Sequence, residues 1–268
     1  MYSSLFGTAA LIDVGIQVVG WALSCALSTE KYYDMCGSLT FIAIAIASLL
    51  SGTLSAKHVV LCAIVLLWAL RLGSFLVVRV HKTGGDQRFD KVKGRPGAYA
   101  VYWLLQGLWV YVTLLPFLFA MSSSAAGGFG VVDSIGLSLF ALGFLTESIA
   151  DLQKFKFKMD GQGGFISSGL WRYSRHPNYF GEMIVWLGVY LVCLPSLSGA
   201  EHLAAVSPVF VSVLISCVSG IPLLERSAQK KWGHLDSYLE YKETTPLLIP
   251  GWVPGKRCAS DDEGEERG

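Results

Sequence analysis

"VVLCAIVLLWALRLGSFLVVRV", residues 59–80, decides the fold. Apart from Arg79 in its last turn, Arg71 is the only charged residue of the stretch. An α-helix rises about 1.5 Å per residue, so about 20 apolar residues cross the roughly 30 Å of hydrocarbon in a bilayer. The stretch therefore predicts a membrane-spanning helix.

Similar apolar windows recur along the whole chain, which is 53% hydrophobic and only 15% charged. These long runs do not alternate as the strands of a membrane barrel would. We therefore predict an all-α fold, a multi-pass transmembrane helical bundle of about seven spans. With residues 59–80 as the third, the predicted spans are 5–28, 38–55, 98–120, 131–150, 177–195 and 204–224.

Basic residues collect in alternate loops, and such loops stay on the cytoplasmic side of a membrane. Lys and Arg follow the third, fifth and seventh spans, whereas 121–130 and 196–203 contain neither. The pattern predicts a lumenal or outside N-terminus and a cytosolic C-terminus.

Domain organisation is simple, because the chain has no internal repeat and no soluble second domain. We expect a single transmembrane domain over residues 1–250 and an acidic, disordered cytosolic tail over 251–268. The six cysteines form no Cys-x-x-Cys pair, so we expect neither disulfides nor a metal. Walker and dinucleotide-turn motifs are absent from the sequence, and we expect no nucleic-acid partner.

A polar motif, "LWRYSRHPNYFGE" at 170–182, enters the sixth span. Pro177 suits the first position of a helix. Arg172, Arg175 and His176 would then surround an exposed helix N-terminus facing the cytoplasm, a position that attracts phosphate. Arg172 could instead be a topology or lipid-headgroup anchor.

Beyond Pro177, the same motif places two polar residues on one helix face. Asn178 and Glu182 are four positions apart, and Gly181 between them lets another backbone or a ligand approach. An anchor for lipid headgroups would explain neither Asn178 nor Glu182.

A second polar stripe lies in "LTESIADLQKFKFK", residues 145–158. Glu147, Asp151, Lys154 and Lys158 fall on one helix face. Carboxylates at the inner end of a membrane span usually face a cavity or a partner, so they are site candidates. A structural ion pair between Asp151 and Lys154 is the alternative.

Two isolated polar residues within spans, Arg71 and Gln106, are candidates for a substrate pocket, together with Glu147. After the seventh span, residues 224–250 predict a helix that carries Arg226 and Lys231 and ends near Pro246. An amphipathic helix at the membrane interface is the structural interpretation of that segment.

The segments "SRHPNYFGE", "WLGVY", "ESIADLQKFKFK" and "YKETTPLLIP" together resemble the steroid 5α-reductase superfamily over residues about 50–250, and in particular its DUF1295 group. The resemblance implies an endoplasmic-reticulum or bacterial membrane enzyme. It also implies the use of NADPH to reduce an activated carbon–carbon double bond in a 3-oxo-steroid, sterol, polyprenoid or enoyl lipid that enters from the bilayer.

The resemblance also implies roles for single residues. Asn178, Tyr179, Gly181 and Glu182 match an element that lines the cofactor pocket, and Asp151 matches an acid that contacts the nucleotide. With the residues chosen from charge and spacing, we predict Glu182 and Tyr179 as catalytic. The predicted cofactor-binding residues are Asp151, Lys154, Arg172, Arg175, His176, Asn178, Tyr179, Arg226 and Lys231.

The main rival is an isoprenylcysteine or phospholipid methyltransferase, since those membrane enzymes share an "RHP-x-Y-x-G" element but bind S-adenosylmethionine. Asn178 and Glu182 favour the reductase. A non-catalytic lipid-binding protein is a third class, disfavoured because a lipid pocket alone needs few cytosolic cations. The substrate identity does not transfer, because the substrate-gripping Glu and Tyr of the steroid reductases have no match here.

Overall fold

The computed structural model describes residues 2–51, 55–83, 85–86, 89–123 and 128–251, and all regular structure in these ranges is helical. The all-α prediction is therefore confirmed. The α-helices of the described chain are α1 (Tyr2–Ala26), α2 (Tyr33–Leu50), α3 (Ala56–Thr83), α4 (Pro96–Ser122), α5 (Val131–Met159), α6 (Pro177–Cys193), α7 (Val206–Val213), α8 (Ile221–Trp232) and α9 (Asp236–Thr244).

Within these ranges, seven helical segments are long and apolar enough to cross a membrane, which confirms the predicted number of spans. They are Ser4–Ala26, Tyr33–Leu50, Ala56–Lys82, Pro96–Ser122, Val131–Met159, Pro177–Ser196 and Gly199–Trp232. The orientation of the termini stays a prediction. Except for Gly251, the predicted acidic tail lies outside the described residues.

The fifth span is longer than predicted. Hydropathy places its end at residue 150, but α5 continues to Met159. The extension carries alternating lysines and phenylalanines, which end the apolar window without ending the helix. The acidic stripe and the lysines therefore lie on one continuous helix.

The seventh span is not a regular α-helix. A 3₁₀ segment, Gly199–Ala205, leads into α7, and a π-helical turn, Leu214–Val218, follows it. The chain then breaks at Gly220, where an added Cβ would lie 2.5 Å from the Ile215 carbonyl oxygen. Only glycine fits this close approach, and α8 begins at the next residue.

The single helix predicted over residues 224–246 is wrong. Helix α8 ends at Trp232, its last turn is capped by the Gly233 N–H bonding the Gln229 carbonyl, and α9 starts at Asp236. The physical reason is the glycine at the helix end, since glycine costs a helix about 1 kcal/mol relative to alanine, and the charge pattern obscured this signal.

Contacts divide the chain into two compact units. The first comprises Met1–Phe140 with Trp186–Val211, and the second comprises Ala141–Val185 with Ser212–Gly268. Large aromatic side chains fill the core of the first unit. The Trp68 ring makes edge contacts with Phe41 and Trp186, with ring centroids 5.1 and 4.7 Å apart.

A buried ion pair also lies within the first unit. Lys57 Nζ is 2.8 Å from Asp133 Oδ1, and the two side chains are 3% and 2% exposed. Removing either residue would leave the other charge buried without compensation, which would destabilise the folded protein. Neither residue was predicted from the sequence to lie in an ion pair.

In the second unit, glycines allow α5 and α6 to pack backbone to backbone. A Cβ at Gly181 would lie 2.6 Å from the Glu147 nitrogen and 2.7 Å from the Gly143 oxygen. A Cβ at Gly143 would in turn lie 2.6 Å from the Gly181 oxygen. The predicted close approach at Gly181 is therefore made by the backbone of α5, which brings the polar stripes of the two helices together.

Candidate functional site

The stripe on α5 begins with two buried carboxylates. Glu147 is 3% exposed and Asp151 is 8% exposed, whereas Lys154 and Lys158 are exposed. A buried carboxylate needs hydrogen-bond donors or a cation. Asp151 Oδ1 accepts a hydrogen bond of 3.1 Å from Asn178 Nδ2, which ties the stripe to α6.

Asn178 lies in the first turn of α6, directly after Pro177, as the motif predicted. Its Oδ1 is buried and has no hydrogen-bond partner in the described part of the chain. An unsatisfied buried acceptor costs about 1–3 kcal/mol. The free oxygen is therefore a candidate contact for a bound group that can donate a hydrogen bond.

Glu225, in α8, joins the two residues that precede α6. Its Oε2 lies 2.6 Å from Arg175 Nη1, and its Oε1 lies 2.8 Å from His176 Nε2. Both contacts are hydrogen bonds with a charged acceptor, the stronger kind. The carboxylate therefore holds the entry to α6 against α8.

Glu225 was not among the predicted residues, whereas its neighbour Arg226 was predicted for its charge. In the structure Arg226 is exposed, as is Lys231. One signal was available: Glu225 is the only acid in an otherwise basic helix, close to where that helix leaves the apolar span. Its partners, 49 and 50 positions away, could not be read from this pattern.

The electrostatics of His176 keep its ring neutral near pH 7. The ring is buried, and this burial lowers the pKa of His176 below its usual value; Glu225 acts against this shift, and Lys154 and Arg175 add to it. Because a carboxylate can only accept, Nε2 must carry the proton that bonds Glu225. Nδ1 is then a bare acceptor, buried and unpartnered among the described residues.

Arg175 was expected beside solvent at an exposed helix end, and that expectation is wrong. Its side chain is 12% exposed because the guanidinium turns inward to Glu225. Its Nε is buried and makes no hydrogen bond to any described residue. Arg175 therefore offers a buried donor rather than a solvated charge.

The C-terminal "TTPLLIP" segment fixes the chain just before α6. The Arg175 N–H donates to the Pro246 carbonyl at 2.9 Å, and the Ser174 hydroxyl donates to the Leu248 carbonyl at 2.7 Å. In addition, the Tyr241 hydroxyl donates to the Trp171 carbonyl at 2.7 Å. These bonds explain why the two motifs, far apart in sequence, belong to one site.

The other predicted residues of the second unit lie around this cluster. The Tyr179 ring stacks on the His176 ring with centroids 5.8 Å apart, and Tyr179 and Glu182 are both half-buried. Lys154 Nζ lies 4.6 Å from the centroid of the Trp171 ring, and Arg172 is exposed.

Two predicted pocket residues belong to the first unit. The Arg71 guanidinium lies 5.5 Å from the centroid of the Phe75 ring. Gln106 is 6% exposed, and its Nε2 donates to the Tyr33 carbonyl at 3.1 Å. Their part in a substrate pocket stays a prediction.

A metal centre has no obvious ligands, because the described residues contain no group of three or more His, Cys, Asp or Glu side chains suited to one. The cluster instead offers buried donors and acceptors, with cations at its edge. Such an arrangement suits an organic ligand that carries both hydrogen-bonding groups and negative charge.

Comparison with known proteins identifies one family and one distant relative. The family described as "Protein of unknown function (DUF1295)" matches residues 20–245. An uncharacterised protein of Schizosaccharomyces pombe is 33% identical over 33% of this chain and 31% of its own length, so the matched part is less than a third of that relative. No solved structure matches the chain.

Proposed function

Because the chain belongs to the DUF1295 family, whose domain is steroid 5α-reductase-like, we propose that it is a membrane-embedded oxidoreductase that uses NADPH to reduce an activated carbon–carbon double bond of a lipid. One observation carries the proposal. Three polar side chains at the entry to α6 each leave a buried atom without a partner among the described residues: Arg175 Nε, His176 Nδ1 and Asn178 Oδ1.

These atoms fit the polar groups of a dinucleotide. Arg175 Nε can donate, whereas His176 Nδ1 and Asn178 Oδ1 can accept, so a ligand with hydroxyl and amide groups would satisfy all three. Arg172 and Lys154, both exposed, would add positive charge for its phosphates. Asp151 would take part by holding the Asn178 amide in position.

NADPH, when bound, would supply a hydride to the β-carbon of an enone or enoyl group, which leaves negative charge on the carbonyl oxygen. That oxygen needs a proton or a donor. Tyr179 and Glu182 are the proposed groups, because a phenol hydroxyl and a carboxyl can each donate. The neutral His176 ring, stacked on Tyr179, would hold the phenol in place.

The substrate we propose is a lipid of the 3-oxo-steroid, sterol, polyprenoid or enoyl type that enters from the bilayer. Glu147, 3% exposed, is a proposed wall of its pocket. In a eukaryotic cell the protein would reside in the endoplasmic reticulum.

A turnover assay tests the proposal. Purified protein in detergent is incubated with deuterium-labelled NADPH and a panel of conjugated lipid ketones and enoyl thioesters. The masses of the products are then measured by mass spectrometry. We expect one lipid class to gain a deuteride and a proton. The same preparation is given labelled S-adenosylmethionine with prenylcysteine and phospholipid, and methyl transfer without any reduction would reject the proposal in favour of a methyltransferase.

A further inference from the structure

Glu225 is placed to set the tautomer of His176. In a neutral imidazole one nitrogen donates and the other accepts, and the hydrogen bond made by the first fixes the role of the second. His176 Nε2 lies 2.8 Å from Glu225 Oε1, and the other carboxylate oxygen lies 2.6 Å from the Arg175 guanidinium, which can only donate. Both carboxylate oxygens therefore accept, and the ring proton lies on Nε2. His176 Nδ1 is left as a buried acceptor without a partner among the described residues.

Asp151 has a matching effect on Asn178, in the first turn of α6. The Asn178 amide donates to Asp151 Oδ1 at 3.1 Å, and its own oxygen is left buried without a partner in the part of the chain that the structure describes. Two carboxylates thus each take up the donor of a neighbouring side chain and leave an acceptor atom. Acceptor atoms attract a hydroxyl or amide hydrogen, whereas they repel phosphate, whose oxygens are themselves strong acceptors.

The charges at the entry to α6 are balanced. Arg175 carries a positive charge, but its Nη1 lies 2.6 Å from the Glu225 carboxylate, and the two side chains are only 12% and 21% exposed. The Arg175 Nε is left as a single buried donor. A phosphate site at a helix N-terminus instead presents several N–H donors and unbalanced positive charge to the anion. The balanced pair is therefore better suited to a neutral group.

We propose that Glu225 is a specificity-determining residue: it fixes the tautomer of His176 so that the buried entry to α6 binds the sugar hydroxyls of the ligand and not its phosphates. This role rests on the proposed function, in which the ligand is NADPH. A hydroxyl suits the site because it can donate to His176 Nδ1 and accept from Arg175 Nε. The phosphates are left to the exposed cations Arg172 and Lys154. Glu225 does not touch the ligand and is a positioning residue that acts through His176.

NMR spectroscopy of the unliganded full-length protein in detergent tests the tautomer. The five histidines are labelled with ¹⁵N, and the signals of His176 are identified by their loss in His176→Gln. We expect the ring proton on Nε2 in the wild type and on Nδ1 in Glu225→Gln, because the new amide N–H would donate to Nε2 while its oxygen still accepts from Arg175. A wild-type ring protonated on Nδ1, or the same tautomer in both proteins, would overturn the proposal.

Titration of the wild type with two probes tests which part of the ligand is bound, and this arm needs no variant that might fold poorly. NADPH should change the Nδ1 signal of His176, because the bare nitrogen gains a hydrogen bond. Inorganic phosphate should leave that signal unchanged. A His176 signal that responds to inorganic phosphate, or one that does not change when NADPH binds, would contradict the proposal.

The affinity for NADPH measures the size of the effect. In Glu225→Gln the ligand hydrogen loses its acceptor, so NADPH binding should weaken by about tenfold or more. Glu240→Gln removes an acid from an exposed position of α9 and is the matched control, which should bind NADPH like the wild type. A reversed tautomer with unchanged affinity would reject the specificity role. Failure of the proposed function looks different, since the wild type would then bind no NADPH while its His176 tautomer still depended on Glu225.

Discussion

Asn178 Nδ2 and Asp151 Oδ1 form a hydrogen bond of 3.1 Å between the start of α6 and the polar end of α5. The bond uses one side of the Asn178 amide and leaves its oxygen buried and unpartnered among the described residues. Asp151 thus fixes which way the amide points. The free acceptor faces away from the acid and is available to a ligand, and the proposed function depends on this arrangement.

The first prediction concerns Glu225. Replacement by Ala removes the acceptor for Arg175 and His176 and leaves both partly buried donors unsatisfied. We expect a loss of about 1–3 kcal/mol in the free energy of unfolding, measured as a lower melting temperature in detergent. Arg226→Ala, at the exposed neighbouring position, is the matched control and should change stability by less than about 0.5 kcal/mol. Equal melting temperatures for the two variants would show that the Glu225 contacts contribute nothing.

The second prediction is a pH dependence through His176. Burial lowers the pKa of His176 in the folded protein, so the folded state prefers the neutral ring. Its contribution to stability is present above the unfolded pKa of about 6.5 and is lost as the pH falls through the lower, folded pKa. The melting temperature should therefore fall on acidification from pH 7 to pH 5, and it should fall less in His176→Gln. Parallel curves for the two proteins would assign the pH dependence to other groups.

A third prediction tests the glycine contact between α5 and α6. Gly181→Ala places a Cβ 2.6 Å from the Glu147 nitrogen, so the helices must move apart. We expect a destabilisation of about 1–3 kcal/mol, the usual effect of overpacking. Gly163→Ala is the control, since nothing lies within 4 Å of an added Cβ there. If thermal unfolding finds Gly181→Ala as stable as Gly163→Ala, the helices are not packed as closely as described.

The fourth prediction concerns Glu182. Glu182→Gln keeps the shape and the hydrogen-bonding capacity of the side chain but removes the titrating group. If the carboxyl moves a proton, reduction of a conjugated lipid should fall by about 10²-fold or more, with near-normal expression and NADPH binding. Full activity in this variant would make Glu182 a structural residue.

Hydropathy and loop charges predicted the number of spans because each span must bury its own backbone in lipid and therefore leaves a local signal. The break in the seventh span was not predicted. It depends on the close contact between Gly220 and the Ile215 carbonyl oxygen, and no periodic pattern in the sequence indicates that contact. The glycine at the end of α8 is, by contrast, a local signal that can be read from the sequence.

Part of the candidate site was also predicted from local signals in the sequence. Asp151 and Asn178 could be selected because polar residues stand out in membrane spans. Their pairing with each other, and that of Glu225 with Arg175 and His176, is set by tertiary packing over 27 to 50 positions. No residue pattern encodes such a pairing. The sequence therefore predicted which helices form the site, but it did not predict Glu225, the carboxylate that joins them.

NADPH binding measured by equilibrium titration in detergent tests the central claim most directly. The wild type should bind NADPH more tightly than NADH or S-adenosylmethionine. Asn178→Ala removes the free acceptor, and Asp151→Asn alters the group that orients it, so each should weaken NADPH binding by about tenfold, which corresponds to about 1.4 kcal/mol. Lys158→Ala, an exposed cation on the same face of α5, is the control and should bind nearly as well as the wild type. Tighter binding of S-adenosylmethionine than of NADPH, or NADPH affinity unchanged in both Asn178→Ala and Asp151→Asn, would contradict the account.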